Sequence, residues 1–167
     1  MNQEILIRHA TLSDITVLSG IIRHSFRSVA DRFGLTPQNC PRHPSNCEDA
    51  WIEADLQRGV DYYLLMHASQ PAGCVALERS TPTTCLLERL AVLPAAQGKG
   101  FGSALVRHVF DVAGKQGFHC VRIAIIADYG ELKHWYLQRG FIPQETRTFP
   151  ALPFRVMFLN HHLTPTT

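Results

Sequence analysis

The sequence has no apolar run approaching the length of a membrane span, and nothing near its start joins a basic segment, an apolar stretch and a small-residue cleavage site. A cytoplasmic protein is the expectation. Excess charge is scarce as well: 16 basic against 14 acidic residues leave a formal net charge of +2, and the basic residues fall in isolated pairs rather than a stripe. That argues against a nucleic-acid binder, so neither nucleic acid nor membrane is expected as a partner, while a small anionic ligand is accommodated. Internal repeats and low-complexity segments are missing. Hydrophobic residues at 46% against 18% charged exclude a disordered or fibrous chain. One domain over residues 1–167 is therefore expected, since a chain of this size buries roughly 70% of its unfolded surface and needs no staple.

Cysteine is present in an odd number, five, and Cys74, Cys85 and Cys120 lie in or beside apolar, strand-like runs where a free thiol acts as a small hydrophobe. A reducing compartment fits that usage. Cys40 and Cys47 flank His43 in a polar, proline-rich stretch, and such residues ligate zinc. Only three ligands at an unusual spacing are visible, however, so an irregular surface loop with two free thiols is preferred and no metal is expected.

Residues 5–8 read as a strand. Thr11-Leu12-Ser13-Asp14 then offers a capping box ahead of Ile15, Leu18, Ile21, Ile22 and Phe26, which share one helical face. Residues 31–48 read as loop, and residues 48–58 as a short helix burying Trp51, Ile52 and Leu56. Residues 62–66 and 74–78 form a hairpin joined through Pro71, Ala72 and Gly73, and residues 85–92 form an apolar strand that Pro94 stops. Ala104, Leu105, Val109, Val112 and Ala113 mark a helix ended by Gly114 and Gly117. A strand at 121–126, a short helix carrying Leu132, Trp135 and Tyr136 and closed by Gly140, and a final strand at 154–159 complete the reading, an α/β mixture of hairpins and one crossover.

Between the strand ending at Val92 and the helix opening near Gly100 lies Gln97-Gly98-Lys99-Gly100-Phe101-Gly102-Ser103. Glycines let successive amide N–H groups converge on one anion, and a helix start adds about half a positive charge at the same point, which together make a phosphate or diphosphate seat. A nucleotide P-loop would require Gly-x-x-x-x-Gly-Lys followed by Ser or Thr, which is missing. A dinucleotide fingerprint fails too, because its last glycine falls on Ser103.

Gln97, Gly100 and Gly102 form a Gln-x-x-Gly-x-Gly pattern that resembles the acyl-CoA loop of the GNAT superfamily. Residues 87–94 resemble the strand before that loop, and Tyr136 with Gly140 and Phe141 resembles its Tyr-x-x-x-Gly-Phe signature. The resemblance covers nearly the whole chain except residues 33–61. It implies a mixed, mostly antiparallel sheet of about seven strands flanked by about four helices and splayed between the fourth and fifth strands. It also implies acetyl-CoA as co-substrate, with Leu90, Ala91 and Val92 along the pantetheine arm and Gln97, Gly98, Lys99, Gly100, Phe101, Gly102 and Ser103 at the diphosphate. Tyr136 would approach the thioester sulfur. Many members carry asparagine seven residues before that tyrosine, where this chain has Tyr129.

The activity so implied is transfer of an acetyl group to a primary amine of a small molecule or protein, by direct attack in a ternary complex. A lysine-like amine, with a pKa of about 10.4, must lose a proton before it attacks. Glu88, on the strand leading into the loop, is favoured as the base, with Glu78 and His134 as alternatives and an ion pair to Arg89 as the competing role for Glu88. Tyr136 would donate to the departing thiolate, and Lys99 would add a point charge at the phosphates. The acceptor is expected against residues 33–61, with Trp51, Arg42, His43 and Arg58, together with Tyr62 and residues 146–154. A non-catalytic acyl-CoA sensor is the alternative function. A final strand left exposed near Leu159 would favour a homodimer.

Overall fold

The computed structural model describes residues 4–164. Strand β1 (Ile5–His9) leads into helix α1 (Ile15–Phe33) through a short 3₁₀ turn at Leu12–Asp14. The capping box forms there as expected: the Thr11 N–H donates to Asp14 Oδ2 at 2.8 Å, and Arg8 clamps the same carboxylate with bonds of 2.8 and 2.9 Å. Helix α1 buries Leu18, Ile21 and Ile22, the face read from the spacing. It runs further than expected, to Phe33, where Gly34 at φ +64° supplies the left-handed cap.

Helix α2 (Asp49–Gln57) precedes β2 (Asp61–His67), β3 (Gln70–Arg79) and β4 (Thr84–Val92). The β2–β3 turn does not use Pro71, Ala72 and Gly73. It sits at Ala68-Ser69, both at positive φ (51° and 63°), while Pro71 and Gly73 pair with Met66 and Leu65 inside the ladder. Two consecutive positive-φ residues match the right-handed twist of a two-residue hairpin, even without the usual Asn or Gly. Gly73 is required for another reason, since a Cβ there would lie 2.8 Å from the Ala91 carbonyl oxygen on β4.

Helix α3 (Phe101–Lys115), β5 (Cys120–Ile126), α4 (Gly130–Leu137), β6 (Ile142–Thr148) and β7 (Arg155–His162) complete a seven-stranded sheet of order β1-β2-β3-β4-β5-β7-β6. Every pairing is antiparallel except β4 with β5. Strand β6 is exposed along its whole length, so its residues carry no apolar alternation that would mark a strand in the sequence. It also corrects the expectation of an exposed final strand. Strand β7 lies between β5 and β6 with Leu159 fully buried, and the edge open to another chain on that side is β6.

Helices α1 and α2 cover one face of the sheet through Leu18, Ile22, Ile52 and Leu64, and α3 and α4 cover the other through Leu105, Val109, Val121 and Tyr136. Each fully buried aliphatic side chain contributes about 1.5–3 kcal/mol over its exposed state. Cys40, His43 and Cys47 are buried rather than in a surface loop. His43 Nδ1 is engaged by Ser45, at 2.7 Å from its Oγ and 3.3 Å from its backbone N–H, and among the described residues no group of three or more potential ligands converges on a metal site.

Candidate active site

The parallel pairing of β4 with β5 spans only Thr84–Leu86 against Cys120–Arg122. Beyond Leu86 the strands part, and β4 turns away from β5 at a bulge where Val75 on β3 faces both Arg89 and Leu90. Arg89 takes φ +50° there, a left-handed conformation that a long side chain adopts only under constraint. The constraint is visible. Its guanidinium donates to Asp55 Oδ2 and to the Tyr62 hydroxyl, each at 2.6 Å, and Asp55 also receives Arg58 at 2.8 Å and the Tyr62 hydroxyl at 2.6 Å.

The gap opens into a cleft of ≈ 1120 Å³ that reaches both faces of the sheet. On the α3–α4 face it is bounded by the glycine loop. Gly98 and Gly100 stand at φ +80° and +82° with open space where a Cβ would go, so backbone conformation rather than crowding requires glycine. The Gln97 side chain donates to the Val92 carbonyl at 3.2 Å, tying the loop to the end of β4. Among the described residues, the backbone N–H groups from Gly98 to Ser103 have no protein acceptor; the first amide paired is that of Ala104, to Gly100 O at 3.1 Å. Six consecutive free amides at a helix N-terminus are a seat for a phosphate-sized anion.

Trp135 and Arg139 add to this seat, and neither stands out in the sequence as a ligand contact. The Trp135 ring lies against Gly102, where an added Cβ would come within 3.2 Å of it, and the Arg139 guanidinium stacks on the same ring at 3.5 Å. Arg139 donates two bonds to Ser103 Oγ, at 2.9 and 2.6 Å. With both lone pairs so used, the single hydroxyl hydrogen of Ser103 is left to donate elsewhere. Nothing in the spacing of Arg139 separates it from an ordinary helix-end arginine.

Tyr136 is 5% exposed and wedged edge-on between Trp135 and Phe141, at ring distances of 5.0 and 5.3 Å. Burial pushes its phenol up, so it stays protonated and able to donate. Leu90, Val92, Gln97, Gly98, Gly100, Gly102 and Ser103 border the same cleft as Tyr136. Phe101 and Ala91 border it too, but Phe101 packs its ring on His67 at 4.9 Å and Ala91 is buried beneath α1, so each offers backbone only. Lys99 is exposed and outside the lining, as is His134 on the outer surface of α4.

Glu88 enters the cleft from the opposite face. The bulge breaks the in–out alternation of β4, so Glu88 and Arg89, though adjacent, both lie on the α1–α2 side. Glu78 is a diagonal cross-strand neighbour on that side. Burial first, and then the nearby Glu78 carboxylate, push the Glu88 carboxyl up to about 7. Of the expected acceptor contacts, His43 and Arg58 border the cleft, while Tyr62 is fully buried within the Asp55–Arg89 network and Arg42 is stacked on Trp51 at 4.3 Å.

The model of the Acetyltransferase (GNAT) family matches residues 29–141, more than half of the chain. The chain belongs to the GNAT acetyltransferase family. Three GNAT-fold structures illustrate the likeness. The ribosomal-protein-S18-alanine N-acetyltransferase of Escherichia coli superposes with a TM-score of 0.75 at 15% identity, over 98% of this chain and 97% of the other. The structure of yncA from Salmonella typhimurium with its cofactor acetyl-CoA gives 0.72 at 20% identity, over 98% and 96%. The PaiA N-acetyltransferase of Thermoplasma acidophilum in complex with coenzyme A gives 0.78 at 16% identity, over 95% and 99%. No curated protein matched the sequence. Within the GNAT fold, the departure at Tyr129 takes a definite form here: its ring packs on Phe33 at 5.5 Å beneath the Arg32 guanidinium, at 4.8 Å, bracing α1 against α4.

Proposed function

We propose that this GNAT protein transfers an acetyl group from acetyl-CoA to a primary amine, by direct attack within a ternary complex in a reducing, cytoplasmic setting. One observation carries the reading: a single gap in the sheet joins the six free amides and Tyr136 on one face to Glu88 on the other. The solved relatives holding acetyl-CoA or coenzyme A support the choice of donor. In this reading the amides of residues 98–103 and the Ser103 hydroxyl take the diphosphate, and the unpaired edge of β4 at Leu90 to Val92 takes the pantetheine arm.

The amine nitrogen attacks the thioester carbonyl carbon, the C–N bond forms and the C–S bond breaks. Glu88 accepts the proton lost by the amine, Tyr136 donates one to the departing sulfur, and the products are an amide and free CoA thiol. Most of the advantage comes from holding the two reactants together, so no covalent enzyme intermediate is needed. A thiol-release assay with acetyl-CoA and an amine panel tests this. Tyr136→Phe should lower kcat while leaving CoA affinity intact. A protein that binds no CoA and releases none with any amine refutes the proposal.

A further inference from the structure

The charges around the α1–α2 mouth of the cleft restrict what the acceptor carries beside its amine. Three arginines border that mouth, and each is already engaged. Arg58 is paired with Asp55 and Glu78, and Arg89 with Asp55 and Tyr62. Arg122 is paired with Glu145, bonded to Asn160 at 3.2 Å, and laid over the Phe158 ring at 4.3 Å. His43 supplies no cation either, because burial and then Arg27 push it down to about 4. Of the carboxylates on this cleft, Glu78 is held by Arg58 and Glu131 by Arg32. Among the described residues lining the mouth, Glu88 is the one carboxyl without an ion-pair partner.

Phe26, Val29, Phe154 and Phe158 give the mouth apolar and aromatic walls, with the hydroxyls of Ser25 and Ser28 among its neutral polar groups. An entering ammonium would find Glu88. A carboxylate on the same carbon would find no free cation among the described residues that line the mouth, would lie near a second carboxylate, and would lose its water among these rings, which is costly for an unpaired charge. Recruiting Arg58 or Arg89 for it would break the Asp55 network that holds the β4 bulge.

We infer that the acceptor is a primary amine on an apolar, ring-bearing body with no carboxylate next to the nitrogen: an arylalkylamine rather than an amino acid. This rests on the acetyltransferase reading above. The test uses the full chain with saturating acetyl-CoA and matched sets that vary the carboxylate at nearly constant shape. One set is phenethylamine, phenylalanine methyl ester and phenylalanine; the other is tryptamine, tryptophan methyl ester and tryptophan. Amine and ester should have kcat/KM values within a few-fold of each other, with the free amino acid lower by about 100-fold or more. Spermidine, glucosamine and a peptide with a free N-terminus complete the panel.

An amino acid acetylated as well as its ester overturns the inference. So does a polyamine, sugar amine or peptide that outruns every arylalkylamine. Calorimetric titration of CoA separates the two levels. Bound CoA with no arylalkylamine acetylated removes the acceptor class alone, whereas no CoA binding removes the acetyltransferase reading as well.

Discussion

Replacing Glu88 by glutamine tests the base and its environment in one variant. The carboxyl is pushed from an ordinary 4.5 to about 7, chiefly by burial and then by Glu78, so its ionised form is disfavoured by roughly 3–3.5 kcal/mol relative to water. The sign follows from proton counts. Between those two values the native protein keeps a proton that the unfolded chain has released, so wild-type stability falls as pH rises through that window and levels off above it. The amide of E88Q does not titrate. The variant should therefore gain on wild type by roughly 3–3.5 kcal/mol between about pH 4 and pH 8, a relative change in melting temperature of about 7–14 °C. Activity should move the other way. With a weakly basic arylamine acceptor that stays neutral through the rise, wild-type kcat/KM should rise with pH to a plateau above about 7, while E88Q loses that limb and about 10²- to 10⁴-fold in rate. Melts and pH profiles of both proteins decide the matter. If E88Q keeps the limb and stays within a few-fold of wild type, Glu88 is not the base; if its melting temperature tracks wild type at every pH, the carboxyl is not held in its neutral form.

Asp55→Ala strips the partner from Arg89 and a bond each from Arg58 and Tyr62, and should cost about 3–5 kcal/mol, seen as a fall in melting temperature of about 10 °C or more. Arg139→Met keeps the aliphatic stem on Trp135 but frees the Ser103 lone pairs; titration calorimetry should show CoA binding weakened about tenfold with pantetheine binding unchanged, and an equal loss for both ligands would contradict the phosphate role. Gly100→Ala places a Cβ at φ +82° and should cost about 1–2 kcal/mol and weaken CoA binding about tenfold or more, whereas Gly114→Ala, inside α3 with open space around it, should be neutral or slightly stabilising in the same assays.

What was legible in the sequence divides by range of interaction. The capping box at Thr11–Asp14, the buried face of α1, the glycine loop and the short helix before Gly140 depend on neighbours a few residues apart, and all were visible in the spacing. Strand β6 was not, because it is exposed throughout and exists through its pairing with β7. The Ala68-Ser69 turn hid for a similar reason: the register of β2 on β3 imposes positive φ on residues that carry no local signal for it. At the candidate site, pattern points to Tyr136 and the loop glycines and position on β4 points to Glu88, and all of them border one cleft. Trp135 and Arg139 carry no local signal, because what sets them at the cleft is contact with Gly102 and Ser103, which are remote in the chain.

The bulge at Arg89 links these parts, since it lies just beyond the point where β4 leaves β5 and has two effects of its own. It turns two consecutive residues to one face, bringing Arg89 beside Glu88 on the α1–α2 side of the cleft rather than on the side away from it. It also places a long side chain in a left-handed conformation, on the order of 1–3 kcal/mol above an ordinary one, which persists because Asp55 and Tyr62 hold the guanidinium. The buried Asp55 network therefore holds the bend of β4 that borders the cleft. Loosening it should disturb CoA binding as well as stability, and titration calorimetry of Asp55→Ala should show weaker CoA binding where substitution of the exposed charges of α4 does not.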